Sequence, residues 1–189
     1  MKDLFGKAIL DFQTHNSPED LITETNISEA DEMDVAYLFR DFKSMPKLEQ
    51  KALQLDKGKV LDVGCGAVSH GLYLQEKGLD VTAIDISENA VKACQLRGLK
   101  NVKVQDVLAV ENDKFDTILL LMNGTGIFRT LSECSKYLQK LKTLLNPNGQ
   151  ILIDSSDIIY MYDEDEDGSF LVPANQYYGE LTFTISYKN

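Results

Sequence analysis

The sequence predicts an α/β fold: a doubly wound, mostly parallel sheet with helices on both faces. Two observations carry this reading. Short aliphatic runs recur after residue 58, namely KVLDV (59–63), DVTAID (80–85), VKVQD (102–106), FDTILLLM (115–122) and QILIDS (150–155). Runs that are apolar almost throughout belong to strands buried on both faces. Between them, residues 69–77, 88–97 and 131–145 have helical spacing, and strands alternating with helices give a parallel sheet. Right-handed crossovers then wind the chain onto both faces and leave ligands at the carboxyl ends of the strands.

Each element has its punctuation. Ser87 ahead of Glu88, Asn89 and Ala90 supplies an N-cap for the second helix. Gly78, Gly98 and the pair Pro147 and Gly149 end the three helices in turn. The link over 107–114 is too short for much helix. Ahead of the sheet, residues 1–57 read as a helical N-terminal arm. Within it, Asn16-Ser17-Pro18-Glu19-Asp20 reads as a helix start, with Ser17 as N-cap and Pro18 at the first helical position. Residues 29–43 place Met33, Tyr37 and, less regularly, Val35, Leu38, Phe39 and Phe42 on broad helical faces. Pro46 opens another helix, capped from Ser44 or nearby and stopped at Lys57-Gly58. The expected organisation is this arm, a nucleotide-binding α/β core over 58–155, and an acidic loop with an extra strand over 156–189 that belongs to the same domain.

A chain of 189 residues fits one domain with a core large enough to fold without staples. Its 30 acidic residues against 19 basic ones give a net charge of -11, which argues against nucleic acid or an anionic membrane as partner. No apolar run approaches the ~20 residues that span a bilayer, and the N-terminus lacks a signal-peptide core. Cys65, Cys94 and Cys134 are far apart and form no C-x-x-C pair, so they read as reduced thiols of a cytoplasmic protein.

Gly64 and Gly66 follow the first run directly and precede a helix, where glycine permits unusual backbone angles and close approach of a ligand. Asp85 ends the second run, 21 residues after Gly64, where a carboxylate meets the two hydroxyls of a ribose. A bare strand-to-helix turn is the bland alternative. NAD is a rival ligand, but the third glycine of its G-x-G-x-x-G pattern is Ser69 here. Asp62, two residues before Gly64, would also repel a pyrophosphate, with energies of roughly 4 kcal/mol at close range. A cationic nucleoside without phosphate suits Asp62 better.

These residues resemble the class I S-adenosylmethionine-dependent methyltransferases, which have the Rossmann-like methyltransferase fold. The matching pieces are VLDVGCG (60–66), AIDIS (83–87), VQDVL (104–108), FDTILLLMNG (115–124) and LLNPNGQILI (144–153), in order over residues 58–154. The family's D-x-G-x-G-x-G pattern departs at its last glycine, which is Val68. The resemblance implies S-adenosylmethionine as cofactor and transfer of its methyl to a small-molecule acceptor by in-line displacement. A binding-only or inactive shortened domain is the alternative, and an NAD-dependent oxidoreductase a more distant one. It implies that Gly64 and Gly66 let the backbone pass close to the methionine part, with Asp62 beside them. Asp85 would hold the ribose and Ile86 would pack on adenine. Asp106, with the Val107 backbone, would bind the adenine amino group, and Asn123 would line the methyl-transfer gap. Tyr37 and Arg40 of the arm are the candidates for the acceptor pocket, Arg40 as partner of a carboxylate.

No catalytic base stands out. His15 and His70 are the only histidines, and both read as structural. Asp163, Asp165, Asp167 and Gly168 fit the start of an EF-hand loop, but its twelfth position is Ala174, so a solvated acidic loop is expected and no metal. The family's sheet has seven strands, and this sequence is expected to lack the final helix and strand pair. Residues 181–187 alternate as one remaining strand. Lacking a partner for its edge and its apolar face, that strand is expected to pair antiparallel within the sheet or to join a second copy in a homodimer.

Overall fold

The computed structural model describes residues 2–188. The chain opens with α1 (Leu4–Thr14), a hairpin of β1 (Leu21–Thr25) and β2 (Ser28–Met33), two short 3-10 turns and α2 (Lys47–Leu55). It continues through β3 (Lys59–Val63), α3 (Ser69–Glu76), β4 (Asp80–Asp85), α4 (Glu88–Leu96), β5 (Val102–Val104), β6 (Phe115–Leu120), α5 (Leu131–Thr143), β7 (Leu145–Ile153) and β8 (Phe183–Ser186). The main sheet has the order β5-β4-β3-β6-β7 and is parallel throughout. Its order reverses beside β3, so the crevice at that point opens at the strands' carboxyl ends.

Both faces of the sheet are covered, as the continuous apolar runs require. Leu61 and Val63 of β3 point to one side, into a core with Phe115, Ile118, Tyr137 and Leu141. Val60 points to the other, packing with Leu53, Leu74, Val81 and Leu119. Burying each such Leu or Ile contributes about 1.5–3 kcal/mol. Ala8 and Ile9 of α1 pack against Ala90 and Ala93 of α4, and small residues on both helices allow that close approach. Ser87 caps α4 as its position in the sequence implies, its hydroxyl accepting from the Ala90 amide at 2.9 Å.

The arm differs from the helical reading. Ser17 has φ +45° and starts no helix; residues 18–20 lead into β1, whose Leu21 is fully buried. Residues 29–33 belong to β2, and only Val35–Phe39 form a 3-10 turn. The cause is tertiary. β1 is the central strand of a second sheet, β2-β1-β8, and Ile22 pairs with Ser186 at the far end of the chain. No side chain caps α2, since Ser44 gives its hydroxyl to Asp41. The closing strand is likewise corrected: β8 pairs antiparallel with β1 outside the main sheet. Tyr187, just past it, is buried with Ile9 and Leu21. The strand has its partner within the chain, so it needs no second copy to pair with.

Candidate functional site

The glycine loop hooks over the end of β4. The amides of Gly64 and Cys65 both donate to the Ile84 carbonyl, at 2.9 and 3.2 Å. Gly64 has φ +70° and Gly66 φ +50°, a backbone region that favours glycine. Val68 has φ +64°, so the valine at the pattern's last glycine position adopts the conformation a glycine would. Its side chain is 1% exposed, and its packing with Ala83, Cys94 and Leu99 holds it there. The loop also fixes Asp85, whose Oδ2 accepts from the Gly66 amide at 3.0 Å and Oδ1 from the Ser87 amide at 2.9 Å. Burial pushes the Asp85 carboxyl up in pKa while these two bonds oppose the rise.

A cavity of about 220 Å3 lies at this crevice. Gly64, Asp85, Ile86, Asp106 and Val107 line it, joined by Gln105, Gly126, Ile127, Arg129 and Tyr137. The first group was read from the sequence. Ile127 and Arg129 were not: they follow β6 in a segment without a motif, and only the fold brings them to the cavity, Ile127 over Gly64. Ile86 is 72% exposed at the rim. Asp106 spends one oxygen on the Leu108 amide at 2.8 Å. A wider hollow of about 390 Å3 lies by the small sheet, lined by Glu19, Asp20, Glu32 and Lys188 among others, but neither the glycine loop nor Asp85 reaches it.

Asp62 sits below the loop and does not line the cavity. It is 3% exposed, with Oδ2 lacking a hydrogen-bond partner. Burial pushes its pKa up to about 6, with Asp85 adding to the rise and His70 and the Gly71 amide opposing it. Asp56 has both oxygens buried and unpartnered, and burial together with Asp62 pushes it up to about 7.

Tyr37 and Arg40 lie on the 3-10 turn of the arm and at its end. The turn is fastened to the loop: Ser69 donates to the Leu38 carbonyl at 2.8 Å, and Arg97 bridges the carbonyls of Ala67 and Phe39. Arg40 is not free to meet a ligand carboxylate, because it is buried and both oxygens of Glu49 accept from its Nη2 at 2.6 Å. His70 reaches the same carboxylate at 2.7 Å, which places this histidine in a buried ion network. The Tyr37 ring stacks 4.0 Å from the Arg40 guanidinium and is 44% exposed. Asn123 is exposed at φ +61° beyond β6, its Oδ1 accepting from Ser156 at 2.7 Å, and it does not line the cavity. The acidic loop closes on itself through Asp167 and Ser169. Among the described residues no cluster of acidic, histidine or cysteine side chains could hold a metal ion. Nor is any of their helices long and apolar enough to cross a membrane.

Residues 54–178 match the model of a methyltransferase domain family. The chain belongs to that family. A solved S-adenosylmethionine-dependent methyltransferase from Bacteroides fragilis, in complex with S-adenosyl-L-homocysteine, is 44% identical with a TM-score of 0.90, covering 99% of this chain and 76% of its own. The Bacillus subtilis (strain 168) protein YqeM is 26% identical over 134 residues, 61% of this chain and 53% of that protein. A ubiquinone biosynthesis O-methyltransferase from Xylella fastidiosa (strain 9a5c) is 26% identical over 113 residues, 56% of this chain and 44% of that protein. The chain thus spans about half the length of these curated relatives.

Proposed function

We propose that this chain is an S-adenosylmethionine-dependent methyltransferase domain acting on a small-molecule acceptor. The observation that carries the reading is the cavity at the strand-order reversal, where Gly64 at φ +70° faces Asp85, Ile86 and Asp106. The donor set suits a nucleoside. Each Asp85 oxygen has one backbone donor and a second lone pair for a ribose hydroxyl. Exposed Ile86 offers an apolar face to adenine, the Asp106 carboxylate would accept from the adenine amino group, and the Val107 N–H would donate to a ring nitrogen beside it. Gly64 and Gly66 would let the methionine part lie on the backbone. Asp62, buried below them, favours a cationic ligand over a pyrophosphate.

When bound, the cofactor supplies a methyl group on a positively charged sulfur. The chain's part is to orient it, exclude water and align the acceptor. Asn123 keeps its amide nitrogen for the methyl-transfer gap, since only its oxygen is engaged by Ser156. Tyr37 would meet the acceptor, with Arg40 acting from behind as the residue that holds its ring. Cytoplasmic location belongs to the same reading, resting on the unpaired thiols. Calorimetric titration with S-adenosylmethionine, S-adenosylhomocysteine and NAD tests the proposal. Binding of the first two without the third supports it, and binding of NAD alone overturns it.

A further inference from the structure

Ile127 lies over Gly64, where the cofactor reading above puts the methionine part. A Cβ built on Gly64 would stand 2.9 Å from Ile127 Cδ1, so the side chain covers the bare backbone that a glycine leaves for a ligand. The space that remains is about 220 Å3, below the roughly 300 Å3 at which small-molecule sites begin. Of its polar lining, Asp85, Gln105 and Asp106 suit a ribose and a base, and Arg129 is the one cation beside them among the described residues.

The segment carrying Ile127 is a 3-10 turn, Gly124–Phe128, anchored at both ends, with Ile127 at the edge of the core that holds Phe128. Non-glycine residues with positive φ bracket it, Met122 (+63°) and Asn123 (+61°) before and Arg129 (+67°) after. Such conformations persist only where the surroundings impose them. Before the segment, Asp154 accepts from the amides of Met122 and Gly124 at 3.1 and 3.0 Å. After it, Phe128 is buried against Tyr137, ring centroids 5.4 Å apart. Gly126 is exposed with open space beside its Cα, and Ile127 is only half-buried.

We propose that Ile127 is a gate over the methionine half of the site. In this conformation the crevice admits a nucleoside, and a ligand with the full amino-acid tail seats only when Ile127 swings off Gly64. The inference rests on the cofactor reading above. A closed gate lowers apparent affinity by the fraction of time it is open, and it does so for the tailed ligand only. Ile127 therefore selects between ligands that share an adenosine and differ in their tail.

Adenosine and S-adenosylhomocysteine, titrated into wild type and Ile127→Ala, separate the two ideas. The gate requires S-adenosylhomocysteine to tighten roughly tenfold in the variant while adenosine stays within about twofold. In the unmutated chain, the nuclear Overhauser contact between the Ile127 δ1 methyl and the Gly64 α protons should survive saturation with adenosine. It should vanish with S-adenosylhomocysteine. This second measurement stands even if Ile127→Ala fails to fold. A contact that persists with S-adenosylhomocysteine bound overturns the gate, as does an equal change in both affinities. Failure of both ligands to bind wild type overturns the cofactor reading itself, and the gate with it.

Discussion

Asp85 organises the glycine loop and faces the cavity at once, so its substitution should be felt first in ligand affinity. Asp85→Ala is expected to weaken S-adenosylhomocysteine by about 1.5–3 kcal/mol, the range for hydrogen bonds to a charged group, in calorimetric titration. An unchanged affinity would take it out of the site. Val68 gives a sharper test of backbone strain. Val68→Ala keeps φ +64° and loses buried methyls, so it should destabilise by about 1–2 kcal/mol. Val68→Gly loses the Cβ as well but relieves strain of order 1–2 kcal/mol. The glycine variant should therefore be at least as stable as the alanine variant in urea melts. At this scale the sequence was legible where spacing carries meaning: the interval from Gly64 to Asp85 reflects one strand–helix–strand unit. It was silent on Arg40, because a guanidinium reads alike whether it faces solvent or Glu49. It was silent on Ile127, because nothing in NGTGIFR marks the one residue that crosses the loop.

The strands of the main sheet were legible for the reason that makes them strands, continuous apolar side chains buried from both sides. The hairpin was not. LITETNISEADEM is polar enough for a surface helix, and its strand character comes from pairing with Phe183–Ser186, more than 150 residues on. β2 carries Glu29, Asp31 and Glu32 along an outer strand, a charged edge of the kind that discourages pairing with other chains. What ties the hairpin down is Leu21, fully buried with Ala8, Ile9, Val35 and Leu38. Leu21→Ala should cost about 2–5 kcal/mol. Because Leu21 joins α1 to the small sheet, amide-exchange protection should fall together in β1, β8 and α1, while the β3 and β6 amides keep more of theirs. Loss confined to β1 would show that these elements do not form one cooperative unit.

Over the whole molecule, buried carboxylates of opposite tendency set the pH range of stability. Asp11 is buried, yet bonds from Lys188, Lys7, Asn16 and Tyr187 outweigh that burial and hold its pKa well below the usual range. Its stabilisation is present above the ordinary carboxylate pKa and lost as pH falls below it. Asp56 and Asp62 run the other way. Raised to about 7 and about 6, they bind protons more tightly in the folded chain than in the unfolded one. Their stabilising share is therefore complete below the unfolded value near 3.8 and lost as pH rises through the folded values. As near neighbours of one sign they titrate as a pair. The melting temperature should peak near pH 5 and decline toward pH 8, although the net charge of -11 at pH 7 keeps the chain soluble there. Asp56→Asn mimics the protonated acid and removes one member of the pair. It should match wild type within about 0.5 kcal/mol at about pH 3.5, where Asp56 is protonated folded and largely protonated unfolded, and exceed it by about 1–2 kcal/mol at pH 8, where the wild type leaves a buried carboxylate unpartnered. Urea melts across that range decide the matter: a variant destabilised equally at both pH values would mean that Asp56 has an ionised partner in solution and carries no raised pKa.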